Sequence, residues 1–486
     1  MEIIYLFVEI VDILLYACKV FAYETKLRVK RVKALQLAII GGGPAGLSAA
    51  IRAREEGLSD VWVIERGRNL GGILNQCIHH GFGMHIFKEE LTGPEYAQRL
   101  IDKAVDLGVN FALGAMVIDI TTDRTLTYVS ESGLVTAQAD AIILAMGCRE
   151  RTRGALGIPG ARGVGVYAAG VAQELVNMKG YMPGKQAVIL GSGDIGLIMA
   201  RRLTLEGATV EGVYEIMPYP GGLKRNIVQC LQDYDIPLYL SHTVTRTVGN
   251  KRLEGVYVAQ VDESRQPIGH TERFVPCDTL LLSVGLIPEN ELAKKIGVAI
   301  SPITGGAVVN DRLETTVPGV FACGNVLHVH DLVDYVTLEA YAAASSAVRF
   351  ICSERAAVAE ALALGRKAIP VQEISIKQEI PIGQEIPIAQ KIPVKTLEGV
   401  RYSVPMTILQ YKRQNDDGQK VNKGQTYTLS FRSDKTYAPA VINILADGEI
   451  IKTAKKRAII PSEMEQISFV LERPAKEVAI AIKQIQ

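Results

Sequence analysis

The chain has 486 residues, 48% of them apolar and 22% charged, enough for about three ordered domains with large cores. A net charge of +1, with no basic-aromatic stripe, gives no field for binding nucleic acid. Seven scattered cysteines (Cys18, Cys77, Cys148, Cys230, Cys277, Cys323 and Cys352) form no C-x-x-C pair. That argues against an iron–sulfur cluster, a zinc knuckle or a local redox dithiol, and fits a reducing, cytoplasmic compartment.

Residues 1–33 form an N-terminal extension. Residues 3–21 are mostly apolar and long enough for a membrane span. Yet Glu2, Tyr5, Glu9, Asp12, Tyr16 and Lys19 step by three or four along one helical face, which fits an amphipathic helix better than a span. Acidic leading residues exclude a secretory signal. Three readings stay open: an over-extended start with the fold beginning near Ala34, peripheral membrane contact aided by the basic residues 26–33, or packing on a partner.

Leu37, Ala38, Ile39 and Ile40 read as a buried parallel strand. Gly41, Gly43 and Gly46 then turn the chain into a helix that stops near Gly57, and a second apolar run, residues 61–64, ends on Glu65. In this βαβ unit Gly41 permits the tight turn, Gly43 lets backbone approach a pyrophosphate, and Gly46 allows close helix–strand packing. The pyrophosphate would sit on the helix N-terminus, with Glu65 placed for ribose hydroxyls. Trp62, the sole tryptophan, reads as strand core. After the doublet Gly71-Gly72 come a helix near residues 93–107, a β-meander through 110–138, and a buried strand ending in Ala145-Met146-Gly147.

The pattern then begins again. Gly41, Gly43, Gly46, Glu65, Gly71 and Gly72 return 150 positions later as Gly191, Gly193, Gly196, Glu215, Gly221 and Gly222. A strand at 187–190, a helix through Met199, Leu203 and Leu205, and a strand at 210–214 repeat the first unit. A β-rich stretch through 238–275 and an apolar run closing on Gly285 repeat its ending. One fingerprint is weak; two in register imply two bound dinucleotides with electrons passed between them. Glu215 would repel a 2′-phosphate, and Ile216-Met217-Pro218 supplies no arginine to hold one, so NAD(H) is expected there.

Residues 318–325 read as a short strand closing on Gly324-Asn325, followed by a small-residue helix at 338–348. They look like the last segment of the first domain, making the second an insertion. Residues 372–394 repeat a six-residue unit with proline in three of four copies, which excludes helix and central strand and reads as an extended linker. Strand-like runs at 425–431, 439–445, 466–471 and 478–482 suggest a small β-sandwich used for docking or dimer formation. The expected fold is therefore α/β, with two Rossmann-like dinucleotide-binding domains and a small C-terminal β-sandwich-like module. Its parts are 1–33, the extension; 34–155 and 301–365, the first domain; 156–300, the insert; 366–395, the linker; and 396–486, the β module.

Over residues 34–350 the chain resembles the FAD/NAD-linked pyridine nucleotide–disulfide oxidoreductase superfamily. The resemblance rests on Gly41 to Gly46 with Glu65, on Ala145-Met146-Gly147, on the inserted Gly191 to Gly196 unit with Glu215, and on residues 318–325. It implies FAD in the first unit, held by Gly41, Gly43, Gly46, Glu65, Gly72, Gly147, Gly324 and Asn325. It implies NAD(H) in the second, on Gly191, Gly193, Gly196, Glu215 and Gly285. The segments 71–79, 87–95 and 324–334 are similar to the NADH-oxidase-like flavoprotein subunit that accompanies an anaerobic glycerol-3-phosphate dehydrogenase-like partner. Two departures stand out. The Cys-x-x-x-x-Cys positions of the disulfide reductases hold Leu74 and His79, leaving Cys77 alone, so disulfide exchange is not expected. The usual Gly-Asp of the late motif is Gly324-Asn325, which removes a charge near the flavin while the asparagine carbonyl can still meet a ribityl hydroxyl.

The expected reaction is hydride transfer from NADH to flavin and onward to a second acceptor, with no side chain assigned as acid or base. The helix start after Asn325 would steady charge on the reduced flavin. Cys77, His79 and His80 should lie near the isoalloxazine. His328 and His330, two apart, are poorly spaced for a helical metal pair; no metal site is expected, and they read as shaping the flavin pocket. The alternatives are a subunit of an amine, amino-acid or glycerol-3-phosphate dehydrogenase complex, and a non-catalytic docking subunit with vestigial cofactor folds. A partner flavoprotein or iron–sulfur carrier, a small-molecule substrate and an oligomer are expected.

Overall fold

The computed structural model describes residues 30–363, 389–411 and 424–485. Two sheets share one plan. In the first, parallel strands run in the order Asn110–Ala112, Val61–Ile64, Lys30–Ile40, Gly133–Leu144 and Val320–Ala322. In the second the matching order is Leu238–Leu240, Thr209–Glu215, Gln186–Leu190, Thr279–Leu282 and Val166–Ala168, again all parallel. Continuous apolar runs suit strands covered on both faces; Leu37, Ile39, Val188 and Ile189 are fully buried. Each sheet carries an antiparallel ribbon: Met116–Ile120 and Thr125–Ser130 in the first, His242–Val248, Gly255–Gln260 and Arg273–Pro276 beside the second.

The chain passes between the two units twice, and the two passages pair with each other: Cys148–Glu150 runs antiparallel to Leu286–Pro288. Just beyond, Ala293, Ile296 and Val298 are buried in the first unit's core. The return therefore falls near 288, not 300. At the other end, the first strand starts at Lys30, inside the expected extension, because it continues alongside Gly133–Leu144. The amphipathic reading of residues 1–29 lies outside the described residues.

The late helix is Val333–Ala363, longer at both ends than residues 338–348. Its small residues Ala340, Ala343, Ala344 and Ala347 are fully buried. They let it approach the helix Pro44–Glu55, where Thr337 joins Ser48 (3.1 Å) and Tyr96 (2.8 Å) in a buried hydroxyl cluster. The helix Gly93–Asp106 opens on a reciprocal cap, Thr92 with Glu95.

The C-terminal module is a sandwich of a five-stranded and a three-stranded sheet around Phe431, Phe469, Ile442, Ile444, Ile480 and Ile482. The end of the proline repeat belongs to it: Ala389–Thr396 lies inside the larger sheet, contrary to the exclusion drawn from proline. The strand changes partner at Pro393. Residues up to Pro393 pair with Thr407–Tyr411, and pairing with Val478–Gln484 starts at Val394, so the proline faces one neighbour only. The remaining repeats lie outside the described residues. The module docks on its own chain: Val404 enters the first unit's core, Asp311 accepts the Leu409 N–H at 2.6 Å, and Arg432 pairs with Asp331.

Candidate active site: two matched nucleotide cradles

The 150-residue offset extends to hydrogen bonds. Glu65 accepts the N–H groups of Gly42 and Gly67, both at 2.6 Å. Glu215 accepts those of Ser192 and Met217, both at 2.9 Å. Gly41 N–H meets Ile64 O, and Gly191 N–H meets Tyr214 O. An ionised carboxylate has about four acceptor directions, so each glutamate keeps capacity for ribose hydroxyls after bonding its loop. Ser192, unremarked in the sequence, adds a third bond: its Oγ donates to Glu215 at 2.6 Å and accepts the Gly221 N–H at 2.7 Å.

The glycines divide by what a side chain would meet. A Cβ on Gly41 would lie 2.4 Å from Ala145 O, and one on Gly191 2.2 Å from Ser283 O. A Cβ on Gly46 would lie 1.8 Å from Gly41 O. These three are needed by the protein itself. Gly43 differs: with φ −78° it is accessible to any residue, and its nearest neighbour would be Gly72 Cα at 3.9 Å. Open space at Gly43, and again at Gly147, which meets nothing within 4 Å among the described residues, is room a dinucleotide can use. Helix Pro44–Glu55 makes its first internal bond from Leu47 N–H to Gly43 O, so its first-turn donors point toward that space. In the second cradle Gly196 N–H is already taken by Ser283 Oγ at 3.0 Å, and a Cβ on Gly193 would lie 3.0 Å from the same atom. That cradle is the tighter one.

The segment leaving the first cradle lies against the second unit. Gln76 Nε2 donates to Gly170 O at 2.8 Å, Asn177 Nδ2 donates to Gln76 O at 2.9 Å, and Glu150 accepts the Gly170 N–H. A Cβ on Gly81 would meet Arg225 Nη2 at 2.9 Å. His79 stacks on Phe82 with centroids 5.0 Å apart. Burial, with Arg225 and Arg201 adding to it, holds its imidazole below the usual range. Asp194, at the start of the second cradle's helix, accepts from Leu223 N–H and Asn226 Nδ2, fixing the stretch that carries Arg225.

The late segment corrects one expectation. Gly324–Val326 is a single 3-10 turn, and the helix begins only at Val333, so no helix starts at Asn325. Asp334 instead ties that helix start to the loop by accepting N–H groups of Gly83, His85 and Ile86. Asn325 Oδ1 accepts the His330 N–H at 3.0 Å, so the protein already uses one of its two acceptor directions. His328 and His330 lie on the loop between the turn and the helix, and both meet Glu339, whose other oxygen accepts the Gly324 N–H at 2.7 Å. Glu339 lies too far along the chain to be linked to them by spacing.

Cys77 Sγ donates to Ile73 O at 3.3 Å, and burial pushes its thiol up to about 12. Burial likewise lifts Cys148 to about 11. Neither is a thiolate at neutral pH, and all six described cysteines are free.

Residues 35–347 match the family model for pyridine nucleotide-disulphide oxidoreductases. The chain belongs to that family. It is an FAD-dependent NAD(P)H oxidoreductase, and the open space at Gly43 and Gly147 is room for the dinucleotide of the first cradle. It is 28% identical over 303 residues to a thioredoxin reductase of Listeria innocua, covering 60% of this chain and 86% of that enzyme. It is 26% identical over 281 residues to hydrogen cyanide synthase subunit HcnB of Pseudomonas protegens, covering 54% of this chain and 58% of that one. One of the opine oxidase subunits of Agrobacterium tumefaciens matches at 24% over 318 residues, 60% of each chain. Among solved structures, T. acidophilum thioredoxin reductase aligns with a TM-score of 0.54 at 24% identity, covering 65% of this chain and 98% of that one, a likeness of fold. No helix among the described residues is long and apolar enough to cross a membrane.

Proposed function

We propose that this chain takes hydride from NADH into FAD and releases the electrons to a separate carrier, a partner flavoprotein or an iron–sulfur protein. The observation that carries this reading is the pair of like-built cradles in one chain, the second pressed through Arg225 against the loop leaving the first. FAD would rest on Gly41, Gly43, Gly46, Glu65, Gly72, Gly147, Gly324 and Asn325. NAD(H) would rest on Gly191, Gly193, Gly196, Glu215 and Gly285. When bound, the flavin supplies the two-electron acceptor; the chain's role is to position it.

Glu215 favours NADH: three hydrogen bonds fix its carboxylate at the end of its strand, where it would repel the 2′-phosphate of a nucleotide bound in this cradle. The raised thiols of Cys77 and Cys148 disfavour a disulfide acceptor. The resemblance to the partner of a glycerol-3-phosphate dehydrogenase-like flavoprotein makes such a flavoprotein the first carrier to test. A second reading, membership of a complex oxidising an organic amine, amino acid or glycerol 3-phosphate, draws support from the relatives named as subunits of hydrogen cyanide synthase and opine oxidase. Anaerobic holoprotein should lose its oxidised flavin band with NADH and not with proline, sarcosine or glycerol 3-phosphate. Bleaching by one of these and not by NADH would transfer the assignment to the second reading.

A further inference from the structure

Behind Gly324 and Asn325 lies a cluster that hydride transfer leaves unused. Nε2 of His328 and Nε2 of His330 face the same oxygen, Glu339 Oε2, at 2.7 and 3.3 Å. The three ligand atoms lie within 4.8 Å of one another. The side chains of His328, His330 and Glu339 are 1%, 5% and 12% exposed, and the two rings stand 4.1 Å apart. Glu339 Oε1 accepts the Gly324 N–H, which keeps the carboxylate from turning away.

Counting hydrogens shows this arrangement to be incomplete. The backbone N–H of His330 donates to Asn325 Oδ1, which fixes that amide with its oxygen toward His330. The same oxygen lies 3.3 Å from His330 Nδ1. A neutral imidazole carries one N–H, yet both ring nitrogens of His330 face acceptors. His328 offers Nε2 to the same carboxylate, and its Nδ1 is buried without a partner among the described residues. A divalent cation between the two Nε2 atoms and Oε2 resolves the His330 count. Each histidine then keeps its proton on Nδ1, and His330 Nδ1–H donates to Asn325 Oδ1, the outer hydrogen bond that metal-bound histidines usually make.

We propose that His328, His330 and Glu339 form a buried site for a divalent transition cation, with zinc the expected occupant. Two imidazoles and a carboxylate are a borderline donor set that suits zinc. Bonds of about 2.0–2.1 Å in tetrahedral geometry place donors about 3.3 Å apart. Of the two nitrogen–oxygen pairs one already has that spacing and the 2.7 Å pair must open by about 0.6 Å, while the two nitrogens lie within 4.8 Å of each other. The cation would clamp the loop carrying both histidines to the second turn of the helix Val333–Ala363 and so fix Asn325.

The competing resolution, a second proton on His330, needs no metal, and elemental analysis separates the two. Flavin-loaded protein purified without chelator should contain about one zinc per chain. After chelator treatment it should take up about one Co²⁺, with ligand-field bands to the red of the flavin absorption, and its melting temperature should rise with the metal. His330→Gln and Glu339→Gln should lose this uptake, while His270→Gln, at an exposed turn, should keep it. Should the variants fail to fold, wild-type metal content and the cobalt spectrum decide alone. Metal well below one equivalent in both zinc and cobalt experiments, or uptake retained by folded His330→Gln and Glu339→Gln, overturns the site.

Discussion

Substituting Gly43 and Gly46 by alanine separates a glycine kept for a ligand from one kept for the fold. At Gly43 the backbone is ordinary and the new methyl would have 3.9 Å to Gly72 Cα, so the protein without cofactor should keep its melting temperature. The methyl would, however, stand where backbone should meet the FAD pyrophosphate. Losing one charge-assisted hydrogen bond costs about 1.5–3 kcal/mol, or roughly 10- to 150-fold in affinity. At Gly46 the methyl would fall 1.8 Å from Gly41 O, and helix Pro44–Glu55 could relieve it only by lifting off its strand. Overpacking of that kind costs about 1–3 kcal/mol or more, so Gly46→Ala should melt several degrees lower even without flavin. FAD titration of stripped protein, paired with thermal melts, reads both effects. Wild-type FAD affinity in Gly43→Ala would refute the placement of the pyrophosphate there.

Glu215→Ala removes the carboxylate that repels a 2′-phosphate and should reduce the preference for NADH over NADPH in anaerobic flavin reduction about 10-fold; an unchanged ratio would place the nicotinamide nucleotide elsewhere. Asp311, whose carboxyl burial raises to about 6 despite the Leu409 hydrogen bond, gives a pH test. Because it titrates above its unfolded value of 3.8, the native state holds the extra proton between about pH 4 and 6, so stability falls as pH rises through that window. Allowing for partial exposure, denaturant melts should show Asp311→Asn losing about 2 kcal/mol less than wild type between pH 4 and 7. Arg432→Met leaves Asp331 buried without its cation and should cost about 3 kcal/mol, with limited proteolysis releasing the C-terminal module first.

Both cradles were legible because their chemistry is local: three glycines, a strand length and one carboxylate fix the geometry of Glu65 and Glu215 within about 25 residues. Contacts set by tertiary packing were not. Arg225 reaches Gly81 only because two units with independent cores are set side by side, and Glu339 reaches His328 only because the late helix starts at Val333. Spacing likewise could not show that Asn325 would turn its carbonyl toward His330. In the β module the sequence missed Glu449–Lys456, a lysine-rich strand at the sheet edge with little apolar alternation, as edge strands often are. Pro393 misled for the opposite reason: a rule about central strands assumes two neighbours at every residue, and this strand exchanges its neighbour at the proline.

The most direct measurement is an anaerobic titration of the flavin-loaded chain with NADH, followed at the oxidised flavin band. About one equivalent per bound FAD should abolish that band without any partner present, since both cradles belong to the same chain. A band that persists through excess NADH, in protein that demonstrably holds one FAD, would contradict hydride transfer between them.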